Sequence, residues 1–235
     1  MTQQLESAAR VILQTVSGPK QARSERTLYR LLDAGEALIV EQGLAGLSIP
    51  EVARRAGSSV GGFYARFRDK NELLRALEER FFLEVQGRLD AIADERRWAG
   101  APIADIVAAA VEELVSVTES RRELIRAFLF RAAKDVQIRD DAIRFRNRAA
   151  ERIAALLLGR ATGFSHPDPV LAIDLGVQAA FSLMNQHVLL DGTRAAGRTL
   201  ARDELEREIA RMFVAYVGIT ETTQPQSMNK KLKKS

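Results

Sequence analysis

Leu47 to Leu74 reads LSIPEVARRAGSSVGGFYARFRDKNELL, and this stretch decides how the chain folds. Ser48 with Glu51 three residues on reads as a capping box, with Leu47 and Val52 placed as a hydrophobic staple. Pro50 falls in the first helical turn, where no N–H is needed. Val52, Ala53 and Ala56 then form a short apolar face, and Gly57 suits the left-handed residue that ends such a helix. Ser58 or Ser59 can cap a second helix running to about Phe67, with Val60, Phe63, Tyr64 and Phe67 at helical spacing. Asp69 and Glu72 make a second capping box that opens a longer helix carrying Leu73, Leu74 and Leu77. Two short helices across a glycine turn, followed by a long one, spell a helix-turn-helix.

Upstream, Leu28, Leu31, Leu32, Gly35, Leu38 and Ile39 repeat at three and four, and Gly43 and Gly46 close that helix. Ser17-Gly18-Pro19 separates it from an arm in which Leu5, Ala8, Ile12 and Val16 share one helical face. Downstream, helical patterns cover 70–96, 103–117, 121–134, 140–158, 170–190 and 203–217. The 170–190 segment is apolar almost all round, the pattern of a helix buried on several faces. No sustained apolar–polar alternation marks a strand. The expectation is an all-α chain of about nine main helices without internal repeats.

The 235 residues suffice for one or two small domains with a real core. The chain has no Cys, which excludes disulfides and thiolate metal sites and fits a reducing, cytoplasmic setting. No apolar run reaches the roughly 18 residues of a membrane span, and the first twenty residues do not read as a secretory signal. The formal net charge of +4 comes from Lys230, Lys231, Lys233 and Lys234; the rest of the chain is neutral. Affinity for nucleic acid must therefore come from local placement of cations. The tail itself reads as a disordered basic end, with a nonspecific DNA-binding arm as the alternative.

The stretch from Leu28 to Leu77 resembles the DNA-binding domain of the TetR family of bacterial regulators. The resemblance rests on the Ser48 cap, Ala53 with Ala56-Gly57, the serine pair, Gly61, Phe63-Tyr64-x-x-Phe67 and Lys70-x-x-Leu73-Leu74. It implies an arm over 1–23, a three-helix DNA-binding domain over 24–70, a helical ligand-binding and dimerisation domain over 71–219, and a tail over 220–235. In a helix-turn-helix the first turns of the second helix face the base edges. Those positions are Ser59, Val60, Gly61 and Gly62, where Val60 can offer a methyl contact to thymine. The two glycines each cost about 1 kcal/mol in a helix, and their missing side chains would let backbone approach phosphate. The resemblance assigns Tyr64 a phosphate contact through its hydroxyl.

Arg66 can hold a phosphate or reach guanine. Lys70 sits at a helix start, where a cation is unfavourable unless a phosphate lies beside it. Ser48 can donate to phosphate as well as cap. Arg54 and Arg55 read as a solvated face, and Lys20, Arg23 and Arg26 as a trail toward the minor groove.

A single short recognition helix binds too little DNA for specificity, so a two-fold dimer on a palindromic operator is expected. By the resemblance its seam is made by the last two helices. Asp174, Gln178, Phe181 and Asn185 fall within about 60° on a helical wheel. That stripe reads as a dimer-seam network, a pocket lining or a solvated face. Trp98, Phe128, Phe130 and Met184 are further candidates for pocket walls, giving Trp98, Phe128, Gln178, Phe181 and Asn185 as the ligand set. The resemblance implies a small-molecule effector that shifts the 70–96 helix and releases operator DNA, most simply as a repressor.

No enzyme motif is present. The two histidines, His166 and His187, lack a Glu three residues before them, and no phosphate-binding Gly-Lys loop or nucleophile elbow occurs. His187 and Asp191 stand four apart, but a packed or dimer-facing histidine is the simpler reading. No catalytic residue, cofactor or metal is expected. The rival reading is an all-α carrier or partner-binding module whose helix-turn-helix no longer reads DNA.

Overall fold

The structure, a computed structural model, describes residues 22–160 and 163–220. Most of the expected arm, including Lys20, and the tail from 221 onward lie outside the described residues. Nine α-helices follow among the described residues: α1 (Ala22–Gly46), α2 (Ile49–Arg55), α3 (Val60–Tyr64), α4 (Lys70–Ile92), α5 (Ile103–Ser120), α6 (Arg122–Ala132), α7 (Val136–Leu158), α8 (Pro169–Leu189) and α9 (Arg202–Val217). Arg23 and Arg26 fall inside α1, so neither belongs to a trailing arm. Gly43, at φ 68°, breaks the helical path near the end of α1, and Gly57, at φ 59°, takes the left-handed turn between α2 and α3.

Boundaries move where a cap outranks the apolar pattern. The long helix stops at Ile92 rather than near Arg96, because Asp94 caps a separate 3-10 turn, Glu95–Trp98. α7 starts earlier than its apolar spacing suggests, since Asp135 accepts a hydrogen bond from the Gln137 N–H at 3.0 Å. Four two-residue strands complete the described chain. β1 (Gly163–Phe164) pairs with β4 (Ile219–Thr220), and β2 (Arg194–Ala195) with β3 (Arg198–Thr199), all antiparallel. Strands this short carry no alternation for a sequence to display.

One apolar core joins α1, α2 and α3 through Leu31, Leu38, Val52, Phe63 and Phe67, then continues along α4 to Phe81 and Val85 and into Leu124 and Phe128. The expected domain boundary between 70 and 71 is therefore no gap: α4 serves both halves, and α1 packs against α6. A second core holds α5, α7, α8 and α9 together through Ile106, Ile153, Val177, Met184 and Phe213. Gly176 lets α8 and α9 approach, since a Cβ there would sit 2.8 Å from the Phe213 ring. Gly176→Ala should lower stability by about 1–3 kcal/mol, the usual cost of overpacking. A urea midpoint equal to wild type would show that this contact yields freely.

Candidate functional site

Phe63 and Phe67 are fully buried and fix the orientation of α3. Opposite them, Val60 is 42% exposed and Tyr64 55% exposed, with the Tyr64 ring held edge-on to Phe63 at 5.7 Å between centroids. Ser59 caps the helix by accepting from the Gly62 N–H at 3.0 Å. The helix ends at Tyr64, short of Phe67, as the Arg66 N–H turns back to the Phe63 carbonyl at 2.8 Å. Ser48, Ser59, Val60, Gly61 and Tyr64 are exposed, while Gly62, Arg66 and Lys70 are half-buried.

The bareness of Gly62 has a local cause. A Cβ there would lie 2.4 Å from the Ser58 hydroxyl, so the missing side chain makes room for that serine. Gly61 has no such neighbour, the Ser59 hydroxyl lying 3.7 Å from where its Cβ would be.

The first capping box does not form. Ser48 is the N-cap of α2 in extended conformation, yet its side chain makes no capping hydrogen bond. Glu51 instead accepts from Arg54 at 2.6 Å and from Arg55 at 3.2 Å, because a guanidinium competes better for a carboxylate than a backbone N–H. Those bonds, Arg54 first, hold the Glu51 carboxyl down at about 2. Arg55 also reaches Glu41 at 2.6 Å and so ties α2 to α1, which corrects the reading of Arg55 as a solvated face. The second box closes one residue early. Asp69 accepts from the Glu72 N–H at 2.8 Å, but Glu72 accepts from the N–H of Arg68.

Lys70 is tied down at the start of α4. Its ammonium donates to the Leu47 carbonyl at 3.2 Å, bringing the beginnings of α4 and α2 together. An ammonium has three donors, so this bond leaves others for an anion. Arg66 donates to the Ala65 carbonyl at 3.1 Å. Chemically the set offers hydroxyl, ammonium and guanidinium donors of the kind that meet phosphates, around one exposed valine of the kind that meets a thymine methyl.

A cavity of about 280 Å³ lies between α4, α5, α6, α7 and α8. Phe128, Phe181, Met184 and Asn185 line it, beside Glu78, Phe81, Phe82, Phe145, Arg139 and Arg146. A smaller apolar cavity of about 70 Å³ shares Val85, Leu114, Val117 and Phe181 with it. Two members of the expected ligand set are elsewhere. Trp98 is core, 9% exposed, its indole N–H donating to the Ile92 carbonyl at 2.6 Å. Gln178 is exposed, so the polar stripe splits between an inward Phe181 and Asn185 and an outward Gln178. A wheel spread of about 60° still leaves room for that division. Phe130 is 57% exposed and lines neither cavity.

Glu78 is not singled out by motif. Its signal is position: it stands four residues after Leu74 and four before Phe82, a charge on an apolar face. α8 is buried through Ile173, Val177, Met184 and Val188, yet Leu171 and Leu175 on it are exposed, as are Met212 and Tyr216 on α9.

Between the two halves, Glu36 of α1 accepts from Arg80 of α4 at 2.5 Å and from Arg121, which also donates to Glu84 at 2.9 Å. Glu36→Gln should cost about 1–2 kcal/mol, since charged hydrogen bonds are lost while Arg80 keeps Asp33 and Arg121 keeps Glu84. Chemical denaturation that gives no loss would mean water replaces the carboxylate fully.

His187 is buried, with Arg122 at 2.8 Å from Nε2 and Thr193 at 3.0 Å from Nδ1. Burial, then the Arg122 charge, lowers its pKa. Asp191 pairs with Arg126 at 2.5 Å and not with His187. Among the described residues no cluster of three His, Asp or Glu side chains could hold a metal, and no helix is long and apolar enough to cross a membrane.

Residues 31–77 match the family model described as bacterial regulatory proteins, tetR family. The chain is 31% identical over 111 residues to the uncharacterized HTH-type transcriptional regulator YvdT of Bacillus subtilis, covering 46% of this chain and 52% of that one. It is 29% identical over 108 residues to the HTH-type transcriptional regulator AcrR of Shigella flexneri, covering 46% and 49%. The matched region thus spans about half the length of these curated relatives. A transcriptional regulator from Rhodococcus sp. Rha1 shares the fold over 83% of this chain and 99% of its own, with a TM-score of 0.63 at 21% identity.

Proposed function

Since residues 31–77 match the model of bacterial regulatory proteins, tetR family, we propose that the chain is a transcriptional repressor of that family that binds a palindromic operator as a homodimer and leaves it when a small molecule enters the larger cavity. The observation that carries the reading is the exposed face of α3. Val60 and Tyr64 stand out from a helix whose other side, Phe63 with Phe67 just beyond it, is locked in the core.

Ser48, Ser59, Tyr64, Arg66 and Lys70 take phosphates in this reading, while Val60 and the backbone at Gly61 and Gly62 lie against the groove. The exposed apolar residues of α8 and α9 form the seam with a second copy, with Gln178 beside them. Apolar surface left in water on two neighbouring helices favours such an association.

Release follows from linkage. A ligand that prefers the non-binding arrangement must weaken DNA affinity, and DNA must weaken ligand affinity by the same factor. α4 forms one wall of the cavity and carries Lys70 at its other end. The Glu36–Arg80–Arg121 cluster supplies a second connection between the halves.

Selection of bound sequences from random DNA tests the reading. A two-fold palindrome with half-sites about one helical turn apart is expected. Recovery of no enriched sequence, beside ligand binding in the cavity, would instead make the chain a carrier that no longer reads DNA.

A further inference from the structure

The larger cavity contains a polar group that its own chain leaves unmatched. Glu78 is 3% exposed, and its Oε1 is shut away from water with no hydrogen-bond partner. The charged groups facing it are Arg131 of α6, Asp135 at the cap of α7 and Asp141 within α7. Burial pushes its pKa up to about 8, against the opposing pull of Arg131, so the carboxyl is protonated at neutral pH. In that state it offers one O–H donor beside one carbonyl acceptor. A buried polar atom left without a partner costs about 1–3 kcal/mol, and such an atom in a cavity wall asks for a matching group.

The rest of the wall limits what can bring that group. Phe82 and Phe145 stack at 4.7 Å, Phe145 meets Phe181 edge-on at 6.1 Å, and Phe81 lies 5.8 Å from Phe128. Such walls suit a flat ring. An apolar cavity of about 150 Å³ accepts benzene, so about 280 Å³ accommodates two fused rings. Arg139 and Arg146 also line the cavity, which disfavours a ligand with a fixed positive charge. A carboxylate ligand accepts the Glu78 O–H but brings no donor to its other oxygen, and a pure hydrocarbon would leave Oε1 unpaired.

We propose that the cavity takes an uncharged two-ring aromatic nitrogen base whose N–H donates to one Glu78 oxygen while its ring nitrogen accepts the Glu78 O–H. This rests on the reading of the cavity as the ligand site, and it names the ligand's chemical class and the residue that selects it.

The test uses 2-aminobenzothiazole and its near-isostere 2-methylbenzothiazole, titrated calorimetrically into the full chain without DNA at pH 7, where both weak bases are uncharged and Glu78 keeps its proton. The amino compound should bind at least about tenfold more tightly, because it alone brings a donor to the second Glu78 oxygen. Glu78→Met should weaken both bases, the amine more, and lose the preference for the amine. Equal affinities in wild type, no binding of either base, or a preference that survives in Glu78→Met would each overturn the proposal. Operator release by 2-aminobenzothiazole is then measured separately. Binding through Glu78 without release would uphold the proposal and refute the release mechanism.

Discussion

Tyr64→Phe combined with Lys70→Ala is expected to weaken operator binding by about a thousandfold. Each protomer loses two phosphate contacts, at about 1 kcal/mol apiece, and a dimer loses them twice, giving about 4 kcal/mol. Loss of two ammonium groups per dimer should also flatten the dependence of log K on log salt by about two units. Both effects should be nearly uniform across operator variants, because phosphate contacts position the protein without reading sequence. Val60→Ala should do the reverse, changing which base is preferred while leaving the salt slope alone.

The comparison needs a melting control. Lys70 also donates to the Leu47 carbonyl, so part of its loss falls on the join between α2 and α4. Affinity unchanged in the double variant, with a palindrome already in hand, would move the DNA-binding surface away from α3.

Glu78 should make the protein less stable as pH rises through neutrality. Its folded pKa of about 8 lies above the ordinary value of 4.5, so the folded state holds a proton that the unfolded state gives up. Its contribution is complete below about pH 4.5 and is lost progressively as pH climbs to about 8. The loss by pH 7 is about 3 kcal/mol in order of magnitude. Glu78→Gln removes the titration, so the variant should gain on wild type across that window and show no relative gain at its acid end. His187 works in the opposite direction: its lowered pKa means that stability falls as pH drops below about 6.5, in both proteins alike. Subtracting the two urea curves at each pH isolates Glu78. A flat difference would mean that the carboxyl reaches water or finds a partner in solution.

The helix-turn-helix was legible because its signals are local. A cap at Ser59, a left-handed Gly57 and the Phe63–Phe67 spacing are satisfied within a few residues of one another, and the fold keeps them. The Ser48–Glu51 box failed because Glu51 found guanidiniums, one of them shared with Glu41 on another helix. The polar stripe on α8 divided for a similar reason. Asn185 and Gln178 share one side of a helix, and only the packing of α4, α6 and α7 around part of it decides which of them meets a cavity.

By itself the sequence determined the helices, the turn between α2 and α3 and the exposed face of α3, because capping, glycine backbone freedom and helical periodicity act over one or two turns. Tertiary structure alone decided that Glu36 is clasped by arginines 44 and 85 positions away, and that Glu78 faces a ring-lined cavity. Burial and charge at those sites are set by side chains distant along the chain, and local spacing carries no information about them.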